Sequence, residues 1–172
     1  MSTSNEYAQQ FEYLCKARDK LFGWVREQPA EVYARSFPFG MGSIRATLVH
    51  TAAAQWSYTQ RLSGKDPAPA DNPFTKEKQP DFVPFAAAWD RLNPDTRRAL
   101  EGIADPNRRL EWVGRRVTPP VRLRATAGGV AAQLLFHEVH HRAQVMAMLR
   151  EVGVAAENLD YSILMFEQLP LT

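Results

Sequence analysis

The sequence predicts an all-α protein built as a four-helix bundle. Three observations lead there. Four long segments place apolar residues on one face at helical spacing. Residues 108–124 are the one stretch able to form strands. The segments are separated by proline- and glycine-rich breaks of the kind that end helices.

The first helix is expected over residues 4–28. Tyr7, Phe11, Leu14, Leu21, Phe22 and Val25 form its stripe, and Pro29 ends it. "SFPFGMG" at 36–42 reads as a loop. Ser43 is placed to cap a second helix that Gly64 stops. Pro67, Pro69, Pro73 and Pro80 make 65–80 a long connection. Asp81 is placed to cap a third helix that tolerates Pro84 in its first turn and is kinked or divided at Pro94. "LEWVGRRV" and "VRLRA" alternate weakly around Pro119 and Pro120, giving a short hairpin. A fourth long helix spans about 127–152 and closes at Gly153; "NLDYSILMFEQ" makes a short final helix. One domain, 1–172, accommodates all of this.

Composition narrows the function classes. The chain is 45% hydrophobic and 23% charged with a net charge of +2, ordinary for a globular protein and too little charge to argue for nucleic acid. A single cysteine, Cys15, permits no internal disulfide and fits a reducing compartment; on the first helix it reads as a packing residue. The N-terminus lacks the basic start and apolar core of a signal peptide, and no run of eighteen apolar residues exists. The expectation is a cytoplasmic protein. Six arginines (Arg108, Arg109, Arg115, Arg116, Arg122 and Arg124) crowd the hairpin around Trp112. Such a patch can contact phosphates, but a solvated rim pairing with acids such as Glu111 is the favoured reading.

The chemistry concentrates in "FHEVHHRAQ" at 136–144, which holds three of the four histidines. At about 100° per residue, His137 and His141 lie about 40° apart, one turn above the other. Val130, Leu134, Gln144 and Met148 share that face, so the pair belongs to the inward stripe, with His140 to the side as a weaker ligand. His50 lies on the second helix near Ala46, Ala53 and Ala54, small residues that leave room beside its ring. Two histidines from one helix and one from another make a compact site with an open position, as in catalytic zinc centres. Imidazole also suits nickel, iron or copper. A lone buried histidine is usually a hydrogen-bonded core residue, which is the bland reading of His50; two imidazoles on one buried stripe need a partner more urgently.

His137, Glu138 and His141 also satisfy H-E-x-x-H, the helical signature of zinc metalloproteases. Its extended form needs a glycine and a third histidine where this chain has Gln144 and Ala147. Helices rather than a sheet precede the motif. Glu138 sits about 100° from His137, off the inward stripe. The protease is therefore the least favoured reading.

"LVHTAAAQWSYTQRLSG" at 48–64 and "FHEVHHRAQVMAMLREVGV" at 136–154 together resemble the two signature segments of the DinB/YfiT-like superfamily. His50 followed by Trp56, the run His137, His141, Arg142, Ala143 and Gln144, and the closing "NLDYSIL" carry the resemblance over nearly the whole chain. Ala143 stands where the superfamily more often has glycine, and Pro119-Pro120 and Gly128-Gly129 depart from its usual hairpin and helix start. The resemblance implies an up-down-down-up bundle, often dimeric, with a divalent metal held by His50, His137 and His141. It implies that Glu138 is incidental to the metal. Some relatives are thiol-dependent transferases or isomerases using a low-molecular-weight thiol. Two function classes follow: a metal-dependent enzyme of the thiol S-transferase or hydrolase type acting on a small molecule, and a non-enzymatic metal-binding stress-response module. Tyr58, Tyr161 and Glu138 are the candidate bases, each better explained as a packing or surface residue.

Overall fold

The structure, a computed structural model, describes residues 3–114, 118–167 and 169, with side chains from residue 6 onward. It is mostly helical with one two-stranded antiparallel sheet among the described residues. The long elements are α1 (Thr3–Arg26), α3 (Ile44–Leu62) and α6 (Ala127–Glu151). Shorter helices are α2 (Ala30–Ala34), α4 (Phe82–Asp90), α5 (Asn93–Glu101) and α7 (Tyr161–Met165). Strands β1 (Arg109–Gly114) and β2 (Val121–Thr126) precede α6. No helix among the described residues is long and apolar enough to cross a membrane.

Most expected boundaries have a visible cause. Ser43 Oγ accepts a hydrogen bond from the Ala46 amide at 3.0 Å, capping α3, and Thr126 Oγ1 does the same for Gly129 at 3.0 Å at the start of α6. Gly64 and Gly153 follow α3 and α6 with φ of 79° and 90°, a left-handed backbone that glycine adopts without steric cost. Asp81 differs from expectation. It occupies the N-cap of α4 with extended backbone, but its side chain makes no capping bond. The third helical segment is divided: α4 ends at Asp90, and Pro94 stands in the first turn of α5, where a missing N–H breaks no helical bond. The first helix stops at Arg26, and α2 is an extra turn beyond Pro29 that periodicity did not suggest.

Packing explains which faces are buried. α6 packs against both α3 and α1, and α5 also packs against α1 and α3. From α1, Phe11, Leu14 and Leu21 are buried; from α6, Val145, Met148 and Leu149. Each such side chain contributes about 1.5–3 kcal/mol of transfer free energy. Phe22, Phe82, Phe85 and Trp89 form a group of edge-on and tilted aromatic rings between α1 and α4, with Phe22–Phe82 centroids 5.2 Å apart. Because α6 has neighbours on two sides, it buries more than one narrow stripe.

The hairpin pairs Arg109 with Thr126 through Gly114 with Val121, and β2 contacts α6. Its arginines behave as a solvated rim. Arg124 and Arg122 donate to the Glu111 carboxylate at 2.7 and 3.2 Å, holding its pKa below the usual range, and Arg108 donates to the Leu62 carbonyl at 3.2 Å. Arg115 and Arg116 lie outside the described residues.

Candidate metal centre

The two halves of the histidine pattern meet across the α3–α6 contact. His50 Nε2 and His137 Nε2 are 3.1 Å apart. One potential ligand atom from each of His50, His137 and His141 lies within 4.8 Å of the others. The three ring centroids are separated by 4.4–4.9 Å. His141 is buried, while His50 and His137 are half-buried, so the cluster has a dry side and an accessible side.

The donor set fits a divalent ion. With Zn–N bonds of about 2.0–2.1 Å, tetrahedral geometry separates two ligand nitrogens by about 3.3–3.4 Å, close to the His50–His137 spacing. The tautomer of His141 is set from behind. Its Nδ1 is 2.9 Å from Gln144 Oε1, an atom that can only accept, so Nδ1 carries the proton and Nε2 keeps its lone pair. Gln144 Nε2 is in turn 3.0 Å from His140 Nε2, which accepts from it. His140 thus supports the cluster indirectly and is not one of the converging rings. Burial lowers the His141 pKa below its ordinary value; the Gln144 bond opposes this and the neighbouring His140 adds to it. A neutral ring is the form that ligates metal.

The loop 36–42 closes against this support. Gly40 has φ of 60°, and a Cβ there would sit 3.2 Å from Gln144 Oε1 and 3.1 Å from Met148 Cε. The left-handed backbone favours glycine, and a Cβ there would push on the ends of the Gln144 and Met148 side chains.

Glu138 is displaced from the cluster, as its helical angle implies, yet it is not a surface residue. It is 4% exposed and turned toward α1, where Arg18 grips both its oxygens at 2.9 and 2.8 Å. Arg18, 2% exposed, also donates to Asn93 Oδ1 at 2.8 Å and Gln55 Oε1 at 3.1 Å, and lies 4.3 Å from the Trp89 ring centroid. Gln55 Oε1 accepts from Trp89 Nε1 at 2.7 Å, while its Nε2 donates to Thr96 Oγ1 at 2.9 Å. This polar network ties α1, α3, α4, α5 and α6 together. Sequence reasoning missed it, because Arg18 and Glu138 are 120 residues apart and neither belongs to a motif shared with the other.

The remaining candidates separate cleanly. Tyr58 lies near the centre, its ring centroid 6.4 Å from that of His137. Tyr161 lies elsewhere, edge-on to Tyr13 at 5.0 Å. Arg142 is buried, stacks over Tyr13 at 4.9 Å and donates to its hydroxyl, which donates onward to the Leu159 carbonyl at 2.9 Å. That arginine fastens α6 to α1 and the C-terminal segment. The Cys15 thiol is pushed up to about 11, mainly by burial, with Arg18 pulling it down and Glu138 raising it further. It is protonated and inert at neutral pH.

Fold and site together define a helical protein whose three histidines, drawn from two helices, could hold a metal ion. Comparison with known proteins agrees. The DinB family model matches residues 1–170, and the chain belongs to the DinB family. It is 23% identical over 172 residues to Protein DinB of Bacillus subtilis (strain 168), the alignment covering 91% of each chain.

Proposed function

We propose that His50, His137 and His141 hold one divalent ion, with zinc or nickel the first candidates and iron next, in a metal-dependent enzyme of the thiol S-transferase or hydrolase type. The observation that carries this reading is the convergence of the three rings, with the His141 tautomer fixed by Gln144. A bound ion would supply Lewis acidity, lowering the pKa of a water or thiol enough to make it nucleophilic at neutral pH. The chain's own part is to present three neutral imidazoles and leave one side open. His141 anchors the buried side, and the half-exposed His50 and His137 face the accessible one. Gln144 and Gly40 hold the support in place. Glu138 serves α6 packing, since Arg18 engages both its oxygens; the metalloprotease reading loses its general base for that reason.

The pairing of α1, α3, α5 and α6 around a common core supports the four-helix, up-down-down-up arrangement of the family. We read residues 1–172 as one such domain, acting as a cytoplasmic homodimer on a small-molecule substrate with a low-molecular-weight thiol as co-substrate.

Metal analysis of untagged protein tests the centre directly. The wild type should carry about one divalent ion per chain, and His137→Ala should carry none, because loss of one of three ligands leaves a two-point site. A His137→Ala protein with full metal content overturns the ligand assignment.

A further inference from the structure

A cavity of about 430 Å³ opens between α3, the 65–75 connection and the hairpin. It lies beside the histidines and not on them. Its floor includes Ala53 and Ala54, which stand one helical turn beyond His50, and Tyr58 in its wall is the ring that faces His137. The volume is in the range of small-molecule sites.

The chemistry of the walls is specific. Trp56, Tyr58, Phe74 and Trp112 give aromatic surface from three different segments. Among the described lining residues, the charged one is Arg61, and none is acidic. The Arg61 guanidinium lies 4.8 Å from the Trp112 ring centroid and 5.9 Å from that of Tyr58. It is thereby held as a flat cation at the rim of an aromatic slot. The Ser57 and Asn72 side chains are committed to the wall itself. Ser57 Oγ and Asn72 Nδ2 donate to the Ala53 carbonyl at 2.9 and 3.2 Å, and Asn72 Oδ1 accepts from the Phe74 amide at 2.9 Å. A planar ring carrying a negative group would find stacking surfaces and a fork-shaped cation.

We propose that this cavity is the substrate pocket and that it recognises a planar aromatic or conjugated organic anion, with its ring among Trp56, Tyr58 and Trp112 and its carboxylate on Arg61. The role as substrate pocket rests on the metal-centre reading above. Recognition of the anion does not, because it uses residues outside the histidine cluster.

The test compares 1-naphthoate with its neutral counterpart 1-naphthamide by calorimetry and tryptophan fluorescence, on chelator-stripped and zinc-loaded protein. Naphthoate should bind about tenfold or more tightly than naphthamide in both forms, as a charge-assisted contact requires. Arg61→Met should erase that preference while leaving naphthamide binding and zinc content unchanged. Arg61→Lys should restore part of the preference, which distinguishes loss of charge from loss of fold. Trp112→Leu should weaken both probes. Equal affinity for the two probes, or a preference that survives Arg61→Met, overturns the inference. So does a preference seen only with zinc bound, which would assign the carboxylate to the metal centre and leave that centre's reading intact. Absence of binding by either probe also overturns it.

Discussion

Replacing Glu138 by Gln separates two roles for one carboxylate. The Arg18–Glu138 pair is almost completely buried, with two charge-assisted hydrogen bonds at 2.9 and 2.8 Å. Removing one partner of such a pair leaves an uncompensated buried charge, which costs about 3–5 kcal/mol. Gln preserves the volume and one acceptor, and Arg18 keeps Asn93 and Gln55, so the lower end applies. For a chain of this size, about 3 kcal/mol lowers the melting temperature by about 6–12 °C. Metal content should remain at one ion per chain, because the carboxylate is no part of the histidine cluster. The assay is thermal unfolding of the chelator-stripped protein beside metal analysis of the loaded one. An Arg18→Met/Glu138→Leu double variant should recover at least half of the lost stability, since replacing a buried ion pair by apolar residues is often neutral. Unchanged melting of Glu138→Gln would refute the energetic argument. Normal melting with lost metal would return the carboxylate to the site.

Three other outcomes are expected. Gln144→Leu removes the acceptor that fixes the His141 tautomer, and metal affinity measured by competition with a chelator should fall about 10–100-fold while helicity is retained; unchanged affinity would make the contact incidental. Cys15 has its thiol pKa raised to about 11, so it gains reactivity only as pH climbs toward that value; alkylation at pH 7.5 should run about 100-fold or more below that of a free cysteine and reach the free rate in denaturant. Light scattering should give twice the chain mass, and a monomer across a wide concentration range would remove the homodimer from the reading.

The sequence by itself determined the local features whose causes are local. Ser43 caps a helix, Gly64 and Gly153 end two, and Pro94 divides one, because each acts on backbone groups within four residues. The 3.6-residue period placed His137 and His141 on one face without reference to any other element. His50 entered the site on its small neighbours and on resemblance, and its approach to that pair depends on how α3 and α6 pack. What the tertiary structure alone decided is the fate of residues off the single stripe. Glu138 looked peripheral because an angular count assumes one buried face. α6 has both α3 and α1 against it, so a second face is buried and its carboxylate meets Arg18 from 120 residues away. The pocket beside His50 has the same origin: Trp56, Phe74 and Trp112 come from a helix, a connection and a strand, and only packing makes them walls of one cavity.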